Sequence, residues 1–193
     1  MALTPWKKWG AAILVSVLVL GGIFHRHILG RYYLNRSQLA LYHRQPALAL
    51  TLLEKAESYN TPNGAVPFWS ARAYRRLGKF EKVHDQLLQA ERAGFDPERI
   101  QRERWLTLAQ SGRMREVELH LPTLLTSPGE DGPEICEAFV NGYFSTYRFD
   151  QGLQILDVWK KDFPDDPQPY VFSGQYYRHL EDWKKAEEAF REG

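Results

Sequence analysis

Ala49, Leu53 and Ala56 are followed 34 positions later by Val83, Leu87 and Ala90, and after another 34 by Val117, Leu121 and Leu124. Gly78 and Gly112 keep the same interval. After one inserted residue, Gly152, Leu156 and Trp159 occupy these slots, and a further 34 positions bring Ala186 and Phe190. A fixed period of this length means one small structural unit used repeatedly. A unit of that size cannot cover its own apolar face, so it must stack on its neighbours. The expectation is an all-α chain: an alpha-alpha solenoid of about five helical hairpins.

Each unit reads as a helix, a tight turn and a second helix. In PFWSARAYRRLG, Phe68, Ala71, Tyr74 and Leu77 recur near helical spacing, and Gly78-Lys79 turns the chain. FEKVHDQLLQAERAG then places Phe80, Val83, Leu87 and Ala90 on one face. Ala71 and Gly174 share a first-helix slot, while Ala49 with Ala186 and Ala56 with Ala90 share second-helix slots. Small side chains there let two helices approach closely. Pro62 with Gly64, Pro97, Pro128 with Gly129, Pro133, and Pro164 with Pro167 fall where breaks between units are expected. The units are read as 31–62, 63–96, 97–130, 132–165 and 167–193. The last is incomplete, because the sequence stops inside a second helix; a longer array is the reading preferred for that ending.

The pattern resembles the tetratricopeptide repeat family. The resemblance lies in Leu77-Gly78-x-Phe80, Tyr74 and Ala90 of the second unit, and in Gly174, Tyr177, Trp183, Ala186 and Phe190 of the fifth. The other units depart from it. Pro46 stands where the first unit's turn aromatic belongs, Trp105 fills a small slot in the third, and Tyr147 replaces the turn glycine of the fourth. The resemblance implies a right-handed solenoid whose first helices line a concave, partner-binding side. Transferred slot by slot, it implies contacts through Tyr42, Phe68, Arg72, Arg76, Arg102, Asn141, Phe144 and Arg178. The arginines would supply charged donors for carboxylates and the rings apolar contact. A solvated helix face is the alternative for the arginines. Most of the body's tryptophans (Trp69, Trp105, Trp159, Trp183) are expected to fill gaps between hairpins, with Trp69 a candidate for partial exposure.

Ahead of the repeats, residues 11–24 read AAILVSVLVLGGIF, with Ser16 the sole polar residue. The uncharged stretch Trp9–His25 would span ~25 Å as a helix, at the short end of what crosses a bilayer. Trp6, Lys7, Lys8 and Trp9 fit an interfacial belt on one side. The expectation is a short basic tail at 1–8 and a retained transmembrane signal-anchor over 9–29. This gives a single-pass membrane protein that meets lipid through its N-terminal helix and holds its repeats outside the cytoplasm. Of 25 Lys and Arg, only Lys7, Lys8 and Arg26 precede Arg31, and every Asp and Glu follows it, so the body is nearly neutral.

Little in the sequence points to chemistry. Net charge is +1, there is one cysteine, and six histidines are scattered apart from His25 and His27, whose i,i+2 spacing is poor for a shared metal. Basic runs at 99–104 and 113–115 are diluted by Glu103, Glu116 and Glu118, so no nucleic-acid partner is expected. Cys136 reads as a small packing residue. No phosphate loop, serine elbow or zincin helix occurs. The chain is expected to have no enzymatic activity and no metal or other cofactor. It reads as a membrane-tethered scaffold that binds a protein or peptide, with self-association compatible. The alternative is an accessory domain of a larger membrane-bound enzyme or assembly factor whose catalytic part lies beyond residue 193.

Overall fold

The computed structural model describes the backbone of residues 5–59 and 64–193, and side chains within them from Phe24 onward. The described chain is all-α. Its helices are α1 (Pro5–Tyr42), α2 (Pro46–Ser58), α3 (Ala65–Arg76), α4 (Phe80–Arg92), α5 (Pro97–Gln110), α6 (Met114–Val117), α7 (Leu121–Thr126), α8 (Gly132–Ser145), α9 (Phe149–Asp162), α10 (Gln168–His179) and α11 (Trp183–Glu192). They pair as hairpins: α1 with α2, α3 with α4, α5 with α6 and α7, α8 with α9, and α10 with α11. Two compact units divide the chain, one reaching Ile100 and one starting at Gln101. Pro62 and the expected 62/63 repeat boundary lie outside the described residues.

One backbone device makes all five intra-hairpin turns. A single residue after each first helix sits in the left-handed region: Arg44 (φ 57°), Gly78 (68°), Gly112 (80°), Tyr147 (60°) and Glu181 (59°). At Gly78 its N–H donates to the Arg75 carbonyl, and the next N–H, of Lys79, donates to the Tyr74 carbonyl, both at 2.9 Å. The same pair of bonds recurs at Arg44 and Gln45, Gly112 and Arg113, Tyr147 and Arg148, and Glu181 and Asp182. These bonds satisfy carbonyls that a helix end would leave bare. The sequence marks only two of the five with glycine. At Arg44, Tyr147 and Glu181 the strain of a left-handed side-chain-bearing residue is tolerated because the two hydrogen bonds and the packed helices fix the turn.

In the first unit the core is shared between successive hairpins. Ala40 and Leu41 of α1 pack with Ala49 of α2 and Ala73 of α3, and Leu53 and Ala56 of α2 pack with Val66 of α3. Phe68 and Ala71 of α3, Val83, Leu87 and Ala90 of α4, and Ile100 in the first turn of α5 form the next cluster. The slots marked by the 34-residue period are therefore core slots, and Ala49, Ala56, Ala71 and Ala90 are completely buried.

The second unit has one larger cluster, centred on α8 and including Leu106, Met114, Val117, Phe139, Tyr143, Leu156 and Trp159. Gly142 is indispensable to the α5–α8 approach: a Cβ there would lie 2.2 Å from the Ala109 carbonyl oxygen. The second helix of the third hairpin is broken into α6, a 3-10 turn at Glu118–His120, and α7. Pro122 accounts for the break, since it lacks an N–H and its ring crowds the carbonyl four residues back, at Glu118. Val117 and Leu124 are still buried, whereas Leu121 is half-buried.

Among the described residues no helix is long and apolar enough to cross a membrane. The expected transmembrane segment over 9–29 is corrected accordingly, and with it the tether, the lipid contact, the single-pass topology and the extracytoplasmic placement of the repeats. α1 continues unbroken through Gly30 to Tyr42 as the first helix of a hairpin. Its described part carries Arg26, Arg31 and Arg36, and Arg26 donates to the Ser58 carbonyl of α2 at 3.0 Å. The tail at 1–4, and the side chains of Trp6, Lys7, Lys8, Trp9 and the apolar run up to Ile23, lie outside those described.

The turns make a paired prediction. Glu181→Gly removes a left-handed penalty at an exposed site and should raise stability by ~0.5–1 kcal/mol, whereas Gly78→Ala, whose new Cβ meets nothing within 4 Å, should lower it by ~1 kcal/mol through backbone strain alone. Urea midpoints of the two variants should move in opposite directions from the parent's.

Candidate functional site

The residues expected to meet a partner separate into those that build the fold and those left at the surface. In the first unit Phe68 is fully buried, stacked on Phe95 with centroids 4.4 Å apart, so it belongs to the core. Arg72 is also buried, its guanidinium 5.2 Å from the Phe68 ring centre and 4.9 Å from that of Trp69. Arg76 is half-buried and donates from Nη1 to the Leu41 carbonyl at 2.5 Å, which ties α3 to the end of α1. Tyr42 is exposed, edge-on to His43.

In the second unit Arg102 donates to Asp131 Oδ2 at 2.9 Å, and Asp131 is itself buried. That bond holds the Pro128–Asp131 loop. Asn141 Nδ2 donates to the Glu137 carbonyl, one turn back on its own helix. Phe144 is half-buried, with its ring 5.7 Å from Phe149 and 5.5 Å from Tyr176. It lies over Gly152, where a Cβ would come within 2.3 Å of the ring. Arg178 is exposed at the end of α10. These placements leave Tyr42 and Arg178 as the exposed members.

Sequence reasoning passed over Arg99. It is half-buried in the first turn of α5, its guanidinium 5.0 Å from Phe68, 5.3 Å from Trp69 and 5.8 Å from Phe95. Trp69 is half-buried, as the loop before it suggested. Arg72 and Arg99 thus both lie against Phe68 and Trp69, but Arg72 is buried and it is Arg99 and Trp69 that reach the surface. Arg99 lies in the RIQRER run; what was missed is that its position in the first turn of α5 brings it over Trp69.

Other polar clusters serve structure. Arg148 makes a two-pronged bond to Glu118, at 2.6 and 2.8 Å, and Tyr143 Oη donates to the same carboxylate at 3.1 Å. The Arg148 hydrogen bonds hold Glu118 below the usual carboxylate range, and burial pushes the Tyr143 phenol up to about 12. Asp166 accepts from the Trp159 indole at 3.0 Å and, through its other oxygen, from the Gln168 N–H at the start of α10. Cys136 is buried, and desolvation raises its thiol from 9.0 to about 12. Among the described residues no group of three or more His, Cys, Asp or Glu side chains could hold a metal ion.

Two tests follow from these groups. Because Glu118 has a depressed folded pKa, its pair with Arg148 supports the fold above the unfolded glutamate pKa and loses that support as pH falls through the lower folded value. Both side chains are about a third exposed, so water screens the pair; Glu118→Gln should lower stability slightly at neutral pH and flatten the acid limb of a melting-temperature profile. A thiol at about 12 holds roughly a thousandfold less thiolate than one at 9.0. Iodoacetamide should therefore label Cys136 rapidly in denaturant and hardly at all in the folded protein.

Comparisons with family models and with curated proteins find no match. Among solved structures, the chain is similar to MamA residues 41-end from Desulfovibrio magneticus RS-1, at 15% identity and a TM-score of 0.47, covering 84% of this chain and 92% of that one. A MamA RS-1 double mutant gives 14% identity and the same score, with 85% and 92% covered. YrrB, described as a TPR protein with an unusual peptide-binding site, gives 17% identity and 0.44, with 83% and 82% covered. Identities of this size transfer no residue role to the present chain.

Proposed function

We propose that this chain is a non-catalytic protein-interaction module that binds a protein or peptide segment at the first-helix surface of its first unit. The observation behind this reading is the Trp69 and Arg99 surface of the first unit. Tryptophan and arginine are the residues most enriched where protein partners gain their binding energy, because each offers a large, stiff contact area. Here the rings orient the Arg99 guanidinium and lower the entropy a partner's contact must overcome. Tyr42 and Arg178 add exposed contacts in their respective units. The favoured ligand is a segment carrying apolar side chains and carboxylates.

Arg99→Glu tests the reading. Affinity capture with the parent, Arg99→Glu and Arg178→Glu should identify one protein whose recovery falls with Arg99→Glu. Titration of that purified partner should then show binding weakened ~10-fold or more, about 1.4 kcal/mol. Equal affinity for parent and both variants, with unchanged helical circular dichroism, would overturn this function.

A further inference from the structure

The second helix of the third hairpin is built unlike the others. In its place stand three pieces: α6 of four residues, a 3-10 turn of three at Glu118–His120, and α7 of six. A helix standing alone needs about 12–15 residues to hold itself, and splitting a segment removes the cooperativity that neighbouring turns lend one another. Pro122 supplies no N–H to bridge the pieces. The segment also gives less to the core. By the 34-residue period Leu121 stands in the slot of Leu53 and Leu87, which are 1% and 2% exposed, yet Leu121 is half-buried and nearby Leu119 is 70% exposed.

Side-chain contacts close this segment. Met114 reaches α8, where a Cβ at Gly142 would lie 2.5 Å from its sulfur. The His120 ring stacks on Trp105 of α5, with centroids 4.1 Å apart. Val117 and Leu124 enter the core of the second unit. The remaining tie comes from the next hairpin turn. Arg148 follows the left-handed Tyr147; its guanidinium lies 4.9 Å from the Tyr143 ring and donates to both oxygens of Glu118. Tyr143 Oη donates to the same carboxylate. Glu118 therefore fastens the broken segment to α8 and to the α8–α9 turn, and it does so at the 3-10 piece, where backbone hydrogen-bond geometry is poorest.

We propose that residues 114–126 form a strap that opens as one piece from α5 and α8 while α8 and α9 stay paired, with Glu118 as its latch. Opening lifts His120 from Trp105 and Met114 from Gly142. The α8–α9 pair needs no help from the strap to remain helical, since both are uninterrupted helices of 14 residues and Trp159 of α9 packs onward against Phe172 of α10. Segments that move in folded proteins are drawn from elements of low local stability such as this one. The strap lies in the second unit and does not depend on the function proposed above.

Hydrogen exchange of the full chain, followed by mass spectrometry at increasing urea below the unfolding transition, tests the strap. Peptides within 114–126 should exchange faster than those of α9 and share one shallow urea dependence, because their opening exposes less surface than unfolding of the whole unit. Glu118→Gln should speed their exchange ~3-fold by removing the latch. Trp159→Phe, which loses the indole bond to Asp166, should speed exchange in α9 ~10-fold and leave 114–126 as in the parent. Strap peptides that match α9 in rate and urea slope, or that accelerate in step with it in Trp159→Phe, overturn the proposal, since the segment then opens only with the whole unit. Rates untouched by Glu118→Gln also overturn it, as do rates that differ along the segment and ignore urea, which would mean separate fraying turns. Should Trp159→Phe lose helical signal, Phe172→Leu replaces it with the same expected outcomes.

Discussion

Contact between the second helix of one hairpin and the first helix of the next is what makes a folded protein of these helices. No hairpin here encloses an apolar interior by itself. Leu53 and Ala56 of α2 are covered by Tyr33 and Leu34 of their own hairpin together with Val66 of α3, and Leu87 and Ala90 of α4 by Phe68 and Ala71 of theirs together with Ile100 of α5. Burying a leucine contributes about 2–3 kcal/mol, and such terms must offset the ordering of a dozen residues per helix. The alanines matter as much as the leucines. Completely buried Ala49, Ala56 and Ala90 set a helix separation that larger side chains would force open.

The turns give this contact its regularity. Because the same two hydrogen bonds close every hairpin, the second helix always starts two residues after a left-handed position. The extra polar bonds sit where regularity is interrupted. Where Pro122 breaks the third hairpin, Glu118 is held by Arg148 and Tyr143. Where a loop leads into α8, Arg102 holds Asp131, and where one leads into α10, Asp166 joins the Trp159 indole to the helix start. Basic and acidic side chains that look like a solvated or ligand-binding surface in the sequence are partly consumed in securing these joints.

This explains what could be read from sequence and what could not. Spacing reports the side chains that recur, so the helical hairpins, the small core positions and the turns at Gly78 and Gly112 were legible. The left-handed turns at Arg44, Tyr147 and Glu181 were not, since no local signal marks a strained residue whose conformation is imposed by its neighbours. Phe68 and Arg72 were assigned to a groove by slot. A slot specifies the side of a helix and leaves open whether an aromatic partner such as Phe95 fills the space beside it. The spanning helix was inferred from the apolar run at 11–24; the structure carries α1 through to Tyr42 as part of a hairpin, and no membrane span is found among the described residues. Arg99 needed a three-dimensional coincidence, the meeting of one turn of α5 with Trp69, that no period encodes.

Trp69 and Arg99 are half-buried because their side chains support each other, the Arg99 guanidinium lying 5.3 Å from the Trp69 ring. Their exposed edges therefore belong to a surface fixed by its own contacts. A partner meeting that surface does not have to order it first, and this separates the pair from a lone arginine on a solvated helix face, whose rotamer freedom is lost on binding.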